Sequence, residues 1–202
     1  MAAQLEVRAR DVQFALDRLV EGAGRLRGHF DLSRVVAVGH SFGGATAVAA
    51  TGRDRRIAAA ANVDGTPYGE LPVLDRPFLL LQSDHAVTAH GESFLARNRR
   101  LLEQAAAPAW RYEVLRANHL VFMDVPLCLA PPGRWALSRI VGGNLVGGSR
   151  DPVEAQRTTA DILDAFIRET LLGESGLVAR TVARGREIKG GPITGSAAAD
   201  RP

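Results

Sequence analysis

Residues 35–50 constrain the fold more than any other stretch. The apolar run Val35-Val36-Ala37-Val38 leads into Gly39-His40-Ser41-Phe42-Gly43-Gly44, and then into Ala45-Thr46-Ala47-Val48-Ala49-Ala50. This order predicts a strand, a sharp turn and a helix, with a serine at the apex. The glycines leave room for a strained turn and for close strand–helix packing, so the serine Oγ projects above the sheet edge. The turn also aims the Phe42 N–H at the place where a tetrahedral oxyanion would form, beside the start of a helix dipole. That is the context of a nucleophile elbow. The competing reading is an ordinary Gly-rich turn whose serine only caps the helix. A bare Gly-x-Ser-x-Gly pattern is weak, and its force here comes from the flanking strand, the Ala-rich helix and the extra Gly44.

The rest of the chain supplies the partners of that unit. Its 202 residues, 46% of them hydrophobic, suit one domain with a single core. Leu5, Ala9, Val12, Leu16, Leu19 and Val20 form a helical stripe over 5–21, ended by Gly22, Gly24 and Gly28. Further apolar runs at 57–63 and 77–81 predict buried strands, and the alternation at 110–115 predicts a fourth. A helix is expected at about 91–106 and another at 152–172, opened by Asp151-Pro152 as N-cap and first helical residue. Residues 124–150 read as a long loop with one helical turn near Trp135. From 174 onward, Gly, Ala, Ser and Arg predict a disordered tail to 202, leaving 1–173 as the domain. Alternating strands and helices imply an α/β fold with a parallel sheet. The polar residues after each strand, Ser41, Asp64, Asp84 and His119, then gather at its carboxyl edge, where open α/β sheets bind ligands.

Charge and composition exclude several classes. The net charge of +3 rests on dispersed arginines, since Lys189 is the only lysine, and no aromatic residues interleave with the short clusters at 53–56 and 97–100. Solvated helix faces explain these better than a nucleic-acid surface. Cys128 is alone, so no internal disulfide forms, and its neighbours Leu127 and Leu129 predict a buried, inert thiol. No apolar run approaches the roughly 18 residues of a membrane span, and the N-terminus lacks the pattern of a signal peptide. As written, the chain is expected in the cytoplasm, with no cofactor and no metal ion.

A serine hydroxyl becomes a nucleophile when a base takes its proton and an acid orients that base. His119 follows the fourth strand, in the chain order Ser…Asp…His expected of such a sheet. His40 lies within the elbow and is expected to point away from the serine, and His29 precedes the strand. His85 and His90 begin a helix after the third strand, where capping or solvent exposure is expected. Asp64 and Asp84 compete for the acid, and spacing alone leaves both open.

The runs Gly39-His40-Ser41-Phe42-Gly43-Gly44-Ala45-Thr46-Ala47, Asn62-Val63-Asp64-Gly65-Thr66 and Asn118-His119-Leu120-Val121-Phe122-Met123-Asp124 resemble the platelet-activating factor acetylhydrolase family. That group belongs to the α/β-hydrolase superfamily, with bacterial lipases and cutinase-like polyester hydrolases as relatives. The resemblance covers residues 5–172, including a closing helix over 154–167. It implies an α/β-hydrolase fold and a serine carboxylic-ester hydrolase acting on a small-molecule or lipid ester through an acyl-enzyme. It also implies Ser41 as nucleophile, His119 as base, Asp64 as acid and Phe42 as an oxyanion donor. The polyester-hydrolase or dienelactone-type pattern would use Asp84 instead.

One departure accompanies the resemblance. Such folds place several strands before the elbow, and a loop after one of them supplies the second oxyanion N–H. Here one helix precedes Val35, so the expectation is the C-terminal part of the sheet, about four strands with flanking helices. The elbow strand is then an open edge, to be completed by a longer form of the protein or by another copy or partner. A binding module with weak or absent turnover is the alternative to an active esterase.

Overall fold

The computed structural model describes residues 1–22, 28–128, 131–141 and 148–193. Within them, β1 (Val35–His40), β2 (Ile57–Val63), β3 (Phe78–Ser83), β4 (Ala109–Val114) and β5 (Ile188–Ile193) form one sheet in that spatial order. The β1–β2, β2–β3 and β3–β4 pairs are parallel, and β5 runs antiparallel to β4. The helices are α1 (Ala2–Val20), α2 (Phe42–Arg53), α3 (His85–Thr88), α4 (Glu92–Glu103), α5 (Val125–Cys128), α6 (Pro131–Val141), α7 (Pro152–Leu172) and α8 (Leu177–Arg184).

The central strands read as continuous apolar runs because both of their faces are covered. Ala59, Ala61, Leu79, Leu81, Trp110 and Tyr112 turn to one side, against Ile162 and Phe166 of α7. Ala60, Phe78 and Leu80 turn to the other, against Val48 of α2 and Leu101 and Leu102 of α4. Outside that layer, Leu5 and Ala9 of α1 pack on Ala45 and Ala49 of α2. The N-terminus of α7 forms as its sequence predicts, with the Asp151 carboxylate accepting from the Glu154 N–H at 3.0 Å and Pro152 in the first turn.

Three expectations are corrected. The expected loop at 124–150 contains α5 and α6, while 129–130 and 142–147 lie outside the described residues. Pro126, Pro131 and Pro132 read as breakers, yet they fall in first turns, where a missing N–H costs nothing. Cys128 is exposed rather than buried, because α5 turns it and Leu127 toward solvent.

The tail expected from 174 instead supplies α8 and β5, so ordered structure continues past 173; residues 194–202 lie outside the described residues. The Glu169 carboxylate accepts from the Gly176 and Val178 N–H groups at 3.0 and 2.8 Å, docking α8 against α7. The buried Arg150 guanidinium donates to the Glu187 carbonyl and to Thr158 Oγ1, both at 3.0 Å. Gly190, at φ 130°, lies so close to β4 that a Cβ there would stand 2.1 Å from the Arg111 carbonyl oxygen. Its glycines therefore permit the pairing that a composition reading assigns to disorder.

Among the described residues β1 is a sheet edge, with Val38 44% exposed. It borders an apolar groove shared with Val12 and Leu16 of α1.

Candidate active site

Each parallel strand delivers a polar group to the carboxyl edge of the sheet. Ser41 follows β1, Asp64 follows β2, Ser83 ends β3 and His119 follows β4. Their backbones are tied across that edge: the Ser41 N–H donates to the Val63 carbonyl, and the Asp64 N–H to the Leu81 carbonyl, both at 2.8 Å.

Ser41 sits at φ 57° and ψ −120°, outside the regions that non-glycine residues favour. The strain is held by the β1–α2 connection, where the Gly44 and Ala45 N–H groups donate to the Ser41 carbonyl at 3.1 and 3.2 Å. Phe42 opens α2, so its N–H belongs to the first turn, where helices leave donors free.

The His119 Nε2 lies 3.0 Å from Ser41 Oγ, and its Nδ1 lies 2.8 Å from Asp64 Oδ2. A carboxylate only accepts, so the imidazole proton is assigned to Nδ1, leaving the Nε2 lone pair facing the serine hydroxyl. The ring is partly open to solvent, whereas the Asp64 side chain is fully enclosed.

Asp64 is held firmly. Its φ of 54° is set by an Asn62–Gly65 clamp: Asn62 Oδ1 accepts from the Gly65 N–H at 2.9 Å, and Asn62 Nδ2 donates to the Gly65 carbonyl at 2.9 Å. Asn98 reaches in from α4 and donates to that carbonyl at 3.1 Å. The carboxylate itself receives four hydrogen bonds. Oδ1 accepts from the Ser83 N–H at 2.8 Å and His90 Nε2 at 2.9 Å; Oδ2 accepts from Ser83 Oγ and His119 Nδ1, both at 2.8 Å. Burial alone would raise the Asp64 carboxyl, but hydrogen bonds from His119, His90 and the Ser83 N–H outweigh it and hold it well below the usual carboxylate range.

Asp84 is placed differently. Its Oδ1 caps α3 by accepting from the Ala86 N–H at 2.9 Å, and its Oδ2 accepts from the Arg116 N–H at 2.7 Å. The structure therefore brings Ser41, His119 and Asp64 together and leaves Asp84 in a capping role.

One histidine differs from expectation, and another contacts the base. His90 is neither a cap nor exposed: its side chain is 4% exposed and lies on Asp64. No local pattern announces this, because the left-handed Ala89 (φ 50°) after α3 turns the chain back toward the site. His40 contacts the base, with its ring centroid 4.5 Å from that of His119. Burial and the neighbouring His119 hold the His40 imidazole below the ordinary histidine value. Among the described residues, no group of three or more His, Cys, Asp or Glu side chains is placed to hold a metal ion. No described helix is long and apolar enough to cross a membrane.

A mostly parallel sheet, a strained serine at a strand–helix turn and a histidine and an aspartate converging on it from later strands define an α/β hydrolase. The model of the alpha/beta hydrolase family matches residues 3–186, and the chain belongs to that family. Among solved structures it is similar to a ferulic acid esterase from Streptomyces cinnamoneus, at 30% identity and a TM-score of 0.77. That match covers 93% of this chain and 55% of the esterase, so the chain spans about half the length of that relative. The narrower likeness to platelet-activating factor acetylhydrolases rests on the motifs alone.

Proposed function

We propose that this chain is a serine carboxylic-ester hydrolase in which Ser41 is the nucleophile, His119 the general base and Asp64 the acid that orients it. The observation carrying this reading is the unbroken line Ser41 Oγ to His119 Nε2 at 3.0 Å and His119 Nδ1 to Asp64 Oδ2 at 2.8 Å. Membership of the hydrolase family and the likeness to a ferulic acid esterase support it.

In the proposed reaction Ser41 Oγ attacks the ester carbonyl carbon as its proton passes to His119 Nε2. The carbonyl oxygen becomes an oxyanion, which the Phe42 N–H and the N-terminal end of α2 stabilise. Collapse breaks the carbon–oxygen bond to the alcohol, and His119 returns the proton to the departing alkoxide. Water, deprotonated by the same imidazole, then attacks the acyl-serine; the acyl–Oγ bond breaks, His119 returns the proton to Ser41 Oγ and the carboxylic acid is released. Asp64 stays ionised throughout and holds the imidazolium that forms at each step.

A second reading, ester binding with slow turnover, is favoured by the position of β1 at the sheet edge. The loop after a strand on that side is where such folds place the second oxyanion donor. Loss of one donor costs about 100- to 1,000-fold in rate. Another chain or segment pairing with β1 would restore a neighbour on that side.

A fluorophosphonate probe tests the nucleophile without knowledge of the substrate. Ser41 Oγ bonds to phosphorus, fluoride leaves and the hydroxyl proton passes to His119. A single adduct on the peptide bearing Ser41, absent from Ser41→Ala, is expected; equal labelling of both proteins overturns the assignment. Feruloyl and short-acyl phospholipid esters, assayed side by side, then separate the two substrate classes to which the likenesses point.

A further inference from the structure

A serine–histidine–aspartate line needs one histidine, yet two histidines bind Asp64. His90 Nε2 lies 2.9 Å from Asp64 Oδ1, on the opposite oxygen from His119. It is also 3.2 Å from Ser83 Oγ, which itself lies 2.6 Å from Thr88 Oγ1.

The protons of this network can be placed one by one. The Asp64 carboxylate only accepts, so His90 presents Nε2–H to Oδ1, Ser83 presents its hydroxyl proton to Oδ2, and Thr88 donates to Ser83. His90 Nδ1 is buried with no hydrogen-bond partner, so a proton there would be an unsatisfied buried donor, and the Nε2-protonated tautomer is the one that fits. The ring is fixed from its side by Phe94, stacked at a centroid distance of 4.0 Å and an interplanar angle of 16°. His85 stacks at 5.7 Å.

A carboxylate has about four acceptor sites. Here all are taken, two by Ser83 and one by each histidine. Without His90, Oδ1 retains only the Ser83 N–H and the carboxylate gains freedom to rotate about its terminal bond. Rotation moves Oδ2 out of line with His119 Nδ1. We propose that His90 is a positioning residue of the active site, locking the Asp64 carboxylate so that its second oxygen stays aimed at His119. This rests on the assignment of Ser41, His119 and Asp64 as the reacting set.

The test compares wild type, His90→Gln and His90→Phe. Gln can return an N–H to Asp64 Oδ1, whereas Phe keeps the ring and its stacking on Phe94 without a donor. Two readouts respond to the aim of Asp64: exchange of the His119 Nδ1 proton with water, followed by NMR, and the rate of Ser41 labelling by the fluorophosphonate. His90→Phe is expected to speed the exchange and slow the labelling by about 10-fold each, while His90→Gln stays within about 3-fold of wild type. A merely structural role would lower the melting temperature without separating Gln from Phe in either readout, and that result overturns the proposal. Nitrogen shifts of the wild-type imidazoles give a check that requires no variant to fold. A proton on His90 Nε2 is expected, and an Nε2 without one contradicts the proposal. Failure of the esterase reading is distinct, because it appears as a wild-type protein that takes no label on Ser41.

Discussion

Asp64→Asn is expected to slow fluorophosphonate labelling of Ser41 by about 10⁴-fold, while Asp84→Asn leaves the rate within about 3-fold of wild type. Asparagine offers one acceptor and one NH₂ where Asp64 meets four donors. Whichever way the amide turns, its NH₂ faces donors that the carboxylate satisfied. If it faces His119, the imidazole places its proton on Nε2 to accept at Nδ1, and Nε2 can no longer take the serine proton. Asp84 lacks this leverage, because its oxygens serve the Ala86 and Arg116 N–H groups. Asparagine caps a helix about as well as aspartate, so its amide oxygen keeps the Ala86 N–H and only the exposed Arg116 N–H meets an NH₂. Labelling lost only in Asp84→Asn would reverse the choice of acid.

The same substitution has a signature in stability. The Asp64 carboxyl is lowered in the folded state, so its ionised form stabilises the fold above the unfolded-state value near pH 4, and that contribution is lost as pH falls through the folded value. The difference in unfolding free energy between wild type and Asp64→Asn should be flat above about pH 5 and shrink in more acid solution. Denaturant titrations at several pH values measure it; a difference that grows on acidification contradicts the geometry around Asp64.

Gly39→Ala is expected to cost about 3 kcal/mol or more of unfolding free energy, whereas Gly43→Ala costs nothing and gains up to about 1 kcal/mol. Both belong to the Gly-rich elbow, but their surroundings differ. A Cβ on Gly39 would stand 2.2 Å from the carbonyl carbon and oxygen of Gly43, which are backbone atoms in the first turn of α2. The only relief is to push the helix from the strand, which disturbs the turn that holds Ser41. A Cβ on Gly43 meets nothing within 4 Å, and alanine favours a helix where glycine does not. Equal destabilisation of the two variants in urea titrations would contradict the close strand–helix approach.

The difference between those glycines also marks how far the sequence could be read. The strand–Ser41–helix unit is legible because apolar runs and glycines are local properties of the chain. The same holds for β2, β3, β4 and α7, whose patterns and caps lie within single windows. Asp64 and His119 stand at strand ends, so they follow once the sheet is parallel. β5 is not legible, since Gly190, Gly191 and Pro192 look like breakers until β4 is beside them. His90 is hidden for a similar reason: its contact with Asp64 spans 26 positions and depends on one left-handed residue, Ala89. The choice between Asp64 and Asp84 likewise depends on which carboxylate the His119 ring meets in space; spacing leaves both open, and only the motif resemblance points to Asp64.

In the proposed reaction Ser41 carries the acyl group. Rapid mixing of the chain with p-nitrophenyl acetate, acid quenching and mass spectrometry of the peptides measures it directly. The expected result is an acetyl group on the peptide bearing Ser41 that forms as nitrophenolate is released, decays as acetate appears and is absent from Ser41→Ala. Nitrophenolate released equally by wild type and Ser41→Ala, with the acetyl group elsewhere or nowhere, would contradict it.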